Sequence, residues 1–271
     1  MPMIDDRNNP IGVFDSGLGG LTVVKELLRQ LPNEAVVYFG DTARVPYGTK
    51  SQESIVRFSR ENVSVLLKHK VKMVVVACNT ASSLALSNLR ETFSVPIIGV
   101  IKPGAQKAVQ ITRNKRIGII ATCATINSEA YTREIKRLSP TISVNTQACP
   151  LFVPLVEEGW FDTKVTSAVA QEYLEKMKKM KIDTLILGCT HYPLLKPVLT
   201  KIMGKDVVLV DSAQEVAQEV KQLLEVTQKN RIANKNSASV FLVSDEPKHF
   251  AQLAKRFLGF SISNVTRCDH V

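Results

Sequence analysis

One regularity constrains this chain more than any other: short runs rich in Val and Ile alternate with longer amphipathic stretches from residue 11 almost to the end. Apolar runs of four to six residues bounded by turns suit strands buried on both faces, and the stretches between them supply crossover helices. The pattern therefore prescribes an α/β fold with mostly parallel sheets covered by helices. Strands are expected at 11–14, 36–39, 73–77, 97–100, 117–120, 142–146, 184–188, 207–210 and 240–243. The clearest helix runs from Pro247, with Phe250, Leu253, Ala254, Phe257 and Leu258 on one face and Gly259 as its stop. Another opens at Ser212 with Glu215 at capping-box spacing and presents Val216, Val220 and Leu223.

The strands also repeat. IGVFDSG at 11–17 matches IGIIATC at 117–123, and VVACNT at 75–80 matches ILGCTH at 186–191 when aligned on the cysteines. IIGVIKP at 97–103 parallels VVLVDSA at 207–213, and Pro46 with Gly48 parallels Pro154 with Gly159. Four matches in register point to two pseudo-symmetric, doubly wound α/β units. The second is expected over 101–208, and 1–100 with 209–271 forms a discontinuous first unit. The polar run at 229–239 reads as a surface connection. Ligands of such sheets bind beyond the carboxyl ends of the strands, so the site belongs in the cleft between the units.

Composition removes several alternatives. With 45% apolar and 22% charged residues the chain is an ordinary globular protein. No apolar run approaches the roughly 18 residues of a spanning helix, and MPMIDDRNNP lacks the apolar core of a signal peptide. Five cysteines without a CxxC pair fit a reducing compartment, so the expected location is cytoplasmic. The net charge of +10 raises nucleic acid as a partner, yet the 6% of aromatic residues are not interleaved with a basic stripe. Lys176, Lys178, Lys179 and Lys181 read as a solvated helix end.

The polar residues just after the strands carry the chemistry. Asp15 and Ser16 follow the first, Asp41 and Thr42 the second, Cys78, Asn79 and Thr80 the third, and Cys189, Thr190 and His191 the matching strand of the second unit. A thiol at a strand-to-helix step faces the positive helix end, which lowers its pKa below the usual value of about 8.5. Two such thiols at equivalent points of a repeat suit two-base proton transfer, one removing a proton from carbon and the other returning one to the opposite face. Cys123, Cys149 and Cys268 lack that context and read as packing or surface residues. DSGLGG at 15–20 is not a dinucleotide fingerprint, because Thr22 stands where its third glycine belongs. It reads as a tight turn whose N–H groups hold a carboxylate. Cys189 and His191 have no partner pair at zinc spacing, so no metal is expected. His69, His249 and His270 read as solvated.

IGVFDSGLGGLTV, YFGDTARVPYG, VVACNTAS and LILGCTHYPLL together resemble the cofactor-independent aspartate and glutamate racemases, and the likeness runs through nearly the whole chain. The resemblance, nearest to the members acting on glutamate, implies interconversion of L- and D-glutamate without pyridoxal phosphate or another cofactor, supplying D-glutamate for peptidoglycan. It implies that Cys78 acts on D-glutamate and Cys189 on L-glutamate, with Asp15 assisting the first thiol and Glu157 and His191 the second. By the same resemblance Asp15, Ser16, Tyr47, Gly48, Asn79, Thr80, Thr190 and His191 hold the substrate, and the protein is a homodimer that requires neither nucleic acid nor membrane. An aspartate or hydantoin racemase is the alternative, since side-chain length is set by pocket walls.

Overall fold

The computed structural model describes residues 6–231 and 238–269. In chain order come β1 (Ile11–Asp15), α1 (Leu21–Gln30), β2 (Val36–Gly40), α2 (Gln52–Leu67), β3 (Met73–Val76), α3 (Asn79–Leu84), α4 (Leu86–Thr92) and β4 (Ile97–Gly99). Two 3-10 turns, Thr42–Arg44 and Tyr47–Thr49, lie between β2 and α2. Next are α5 (Ile101–Ile111), β5 (Arg116–Ala121), α6 (Cys123–Asn127), α7 (Ala130–Leu138), β6 (Ser143–Ala148), α8 (Phe152–Glu157) and α9 (Lys164–Lys179). They lead to β7 (Thr184–Gly188), a 3-10 turn at Tyr192–Leu195, α10 (Lys196–Met203) and β8 (Val208–Asp211). The chain finishes with α11 (Ser212–Val226), β9 (Val240–Val243), α12 (Pro247–Leu258) and β10 (Val265–Arg267).

The strands form two wholly parallel sheets, ordered β10-β9-β2-β1-β3-β4 and β6-β5-β7-β8. Within the first, β2-β1-β3-β4 is wound in the same order as β6-β5-β7-β8, so the sequence repeat is also a repeat of topology. β1, β2, β3 and β7 are buried along their whole length, as their unbroken apolar runs require. Truncating Ile119 or Ile186, both buried in the second sheet, to alanine would cost about 2–5 kcal/mol.

The last helix of each repeat changes sides. α5 follows β4 but packs its buried Ile101, Ala105 and Ala108 against β5, β7 and α7 of the second sheet. α11 follows β8 yet buries Val216, Ala217, Val220 and Leu224 with Leu21, Val24 and Leu27 of α1 and Ile98 of β4. α5 and α11 also touch each other, so the chain crosses between the sheets twice along one seam.

Each expected strand is present within two residues of its expected ends. β10 was absent from the apolar pattern, because its three residues, Val-Thr-Arg, are mostly exposed and held by pairing with β9. α12 spans Pro247–Leu258 with all five expected residues buried and Gly259 at φ +87°. The start of α11 departs from the capping-box reading. Asp211 is the cap, its carboxylate accepting from the Ala213 N–H at 2.9 Å, and Ser212 is already helical. A carboxylate at this position also meets the positive helix end, which a hydroxyl does not.

In the 229–239 connection, residues 232–237 lie outside the described residues, as does His270. Before that gap, Lys229 reaches Asp6 at 2.6 Å and the Arg231 N–H reaches Glu34 at 2.9 Å. His69, His249 and the four lysines around the end of α9 are exposed. No helix among the described residues is long and apolar enough to cross a membrane.

Candidate active site

The carboxyl ends of β1, β3, β5 and β7 bring the polar turns of both units to one cleft. At the first, β3 runs through Ala77 to Cys78, whose extended backbone caps α3. The Cys78 thiol is buried, with Sγ 3.8 Å from the Ser16 hydroxyl. The expectation of a lowered pKa does not hold there. Burial above all, then the charge of Asp15, push Cys78 up to about 12, against hydrogen bonds from the Ala81 N–H and Ser16. α3 is only six residues long, too short for its dipole to outweigh the loss of water.

Asp15 lies fully buried at the end of β1. The Gly17 N–H donates to one of its oxygens at 3.0 Å and the Thr190 hydroxyl to the other at 3.3 Å. The N–H groups of the DSGLGG turn thus do hold a carboxylate, but it is the chain's own. Burial pushes the Asp15 acid up in pKa, restrained by the charge of His191, the N–H groups of Gly17 and Gly20, and Thr190.

The second thiol turn is built differently. Cys189 follows β7, is also buried, and is succeeded by a 3-10 turn rather than an α-helix. Its Sγ stands 3.8 Å from Nδ1 of His191, whose Nε2 lies 3.0 Å from Glu157 Oε1 at the end of α8. Phe257 of α12 closes the imidazole edge-on at 5.7 Å. Burial opposes the charge on His191, but hydrogen bonds to Cys189 and Glu157 and their negative charges prevail and raise it to about 10. An imidazolium beside Cys189 is the counter-charge a thiolate there requires.

The other expected residues fall around these two turns. Thr80 Oγ1 lies 3.0 Å from Thr122 Oγ1 and 3.2 Å from Thr125 Oγ1, at the start of α6. Asn79 accepts from the Tyr131 hydroxyl at 2.7 Å. Tyr47 is placed otherwise: its hydroxyl donates to Asp41 and accepts from Asn62 at 3.0 Å, so only its main chain is left for a ligand. Thr122, Thr125 and Tyr131 join the candidate site through Thr80 and Asn79, and the apolar pattern of the sequence does not bring them out. Thr122 had a signal, since IGVFDSG against IGIIATC sets it opposite Ser16.

Two glycines mark where the units touch. A Cβ at Gly19 would stand 2.2 Å from Thr190 Oγ1 and 2.5 Å from His191 Nδ1, and one at Gly48 would stand 2.7 Å from Thr122 Cβ. Both loops of the first unit therefore reach the second only because a side chain is missing. Among the described residues no cluster of three or more His, Cys, Asp or Glu could hold a metal ion.

Comparison with known proteins fits this geometry. The family model of the Asp/Glu/hydantoin racemases matches residues 11–220. The chain belongs to that family. This member is 50% identical over 255 residues to the glutamate racemase of Geobacter metallireducens, covering 94% of each chain. Its fold superposes on the Bacillus anthracis glutamate racemase with a TM-score of 0.94 at 40% identity, covering 97% of this chain and 98% of that one. A Francisella tularensis glutamate racemase solved in complex with D-glutamate gives 0.91 at 39% identity over the same shares. For an amino-acid racemase the arrangement supplies two thiols from opposite sides of a cleft, and hydroxyl and amide donors between them.

Proposed function

We propose that this racemase interconverts L- and D-glutamate by two-base proton transfer between Cys189 and Cys78, without pyridoxal phosphate. The observation that carries the reading is the pair of buried thiols at equivalent turns of the repeat, in a chain half identical to a glutamate racemase. The Cys189 thiolate, beside the His191 imidazolium, takes the α-proton of L-glutamate. The electron pair left on Cα delocalises into the substrate carboxylate, which Ser16, Asn79, Thr80, Thr190 and the main chain at Tyr47 and Gly48 hold and neutralise. The Cys78 S–H gives its proton to the opposite face, forming D-glutamate and leaving a thiolate at Cys78. The reverse reaction starts from that thiolate, with Asp15 relaying protons on its side and Glu157 through His191 on the other. The enzyme would act in the cytoplasm as a homodimer and furnish D-glutamate for peptidoglycan, with the units dividing at 1–100 plus 209–271 and 101–208.

Incubation with L-glutamate in D2O tests this directly. D-glutamate should build up with deuterium at Cα, and Cys78→Ala or Cys189→Ala should each cost on the order of 10³-fold or more in rate. Turnover of aspartate but not glutamate, or activity unmoved by either substitution, overturns it.

A further inference from the structure

Tyr131 of α7 is buried at 2% exposure and connects both thiol turns. Its ring lies against the end of β7, where a Cβ at Gly188, next to Cys189, would stand 3.2 Å from the ring. On the other side of the cleft its hydroxyl donates at 2.7 Å to Oδ1 of Asn79, next to Cys78. The Ser212 hydroxyl lies 3.0 Å from that of Tyr131 and 3.3 Å from the Leu187 carbonyl of β7. One phenol thus spans from the residue after one thiol to the residue before the other.

The proton count gives this chain a direction. An amide oxygen only accepts, so the Tyr131 proton must go to Asn79, and the single Ser212 proton goes either to the Tyr131 oxygen at 3.0 Å or to the Leu187 carbonyl at 3.3 Å. Burial pushes the Tyr131 phenol well above its ordinary pKa, so it keeps that proton throughout the working range. With its oxygen engaged, Asn79 has its NH2 group free, and that nitrogen bonds no group among the described residues.

Building on the glutamate racemase reading, we propose that Tyr131 is a positioning residue that orients the Asn79 amide, turning its N–H groups toward the substrate carboxylate. Tyr131 need not touch substrate. Without its hydroxyl the amide can turn over and present oxygen to an anion.

Steady-state kinetics with both enantiomers tests the idea. Because the equilibrium constant of a racemisation is one, kcat/KM must change equally in the two directions, so the information lies in the split. Tyr131→Phe should raise KM for L- and D-glutamate about tenfold, one hydrogen bond's worth, with kcat within about twofold. In an Asn79→Ala background the same change should do nothing further, because its only route is through that amide. An equal loss in both backgrounds, or an unchanged KM, overturns the proposal. Asn79→Asp reads the orientation without touching Tyr131: it should raise KM about tenfold more than Asn79→Ala, by replacing a donor with an anion. An Asp variant that binds as well as the native protein also overturns it. Absence of glutamate turnover in the native protein would instead count against the glutamate reading.

Discussion

The Cys78 and Cys189 turns occupy matching places in the repeat but are electrically opposite. Cys78 has a hydroxyl at 3.8 Å and a buried carboxyl group behind it, and is held as a neutral thiol up to about 12. Cys189 has an imidazole at 3.8 Å, itself backed by Glu157 at 3.0 Å. A two-base reaction needs one base and one acid at the start of each turnover, and two identical turns would have to break that tie. Here the surroundings break it. Under the two-thiol reading proposed above, Cys78, kept neutral by burial and Asp15, would start as the acid and Cys189, beside the His191 imidazolium, as the base, the arrangement for consuming L-glutamate.

The largest effect on this comparison should come from disturbing the distance between the turns. Gly19→Ala puts a methyl where Thr190 and His191 now stand and should cost about 100-fold in kcat/KM, the scale of a 1 Å misplacement. Tm should fall as well, since Gly19 is buried and the added methyl overpacks a filled seam at a cost of about 1–3 kcal/mol, so the loss of rate is read at a temperature where the variant is fully folded. An active Gly19→Ala protein would mean that the cleft works at a wider setting than the one described.

A second test reads the asymmetry itself. In ligand-free protein near pH 7.5, iodoacetamide should label Cys189 at least about tenfold faster than Cys78, because the thiolate is the reacting species. Glu157→Gln removes the charge that supports the His191 imidazolium and should shrink that ratio. Equal labelling in the native protein would show that the two turns are balanced after all.

The smallest effect is on stability. His191 has its pKa raised from 6.5 to about 10 by folding. Its contribution is therefore complete below about pH 6.5 and is lost as the pH climbs toward 10. Chemical denaturation between pH 7 and 10 should show the native protein losing stability faster than His191→Gln. Parallel curves would place a neutral imidazole beside Cys189.

Most of the framework was legible in the sequence because local rules decide it. Parallel strands buried on both faces must be apolar runs, so β1 to β9 could be read directly. The residue after each strand end could be read too, which brought out Asp15, Cys78 and Cys189. β10 could not, since an edge strand of three mostly exposed residues depends on its neighbour. The cap of α11 was misplaced by one residue because both Asp211 and Ser212 can cap. What escaped most completely is carried by distant pairs: Tyr131 meets Asn79 across 52 positions, and Thr80 meets Thr122 across 42. The rise of Cys78 also ran against the local rule, because burial and a neighbouring carboxyl outweigh a short helix.

The exchange of α5 and α11 has one more consequence. Each repeat, 11–111 and 116–226, gives its final helix to the other, which is the arrangement of a swapped dimer whose two copies have been joined in one chain. Such a dimer has a twofold axis, and an axis of that kind sets like turns facing each other from opposite directions. In the two-thiol reaction proposed above, a flattened carbanion between them would meet the same kind of group on both faces. The mirror symmetry of substrate and product would thus be answered by the repeat written into the backbone.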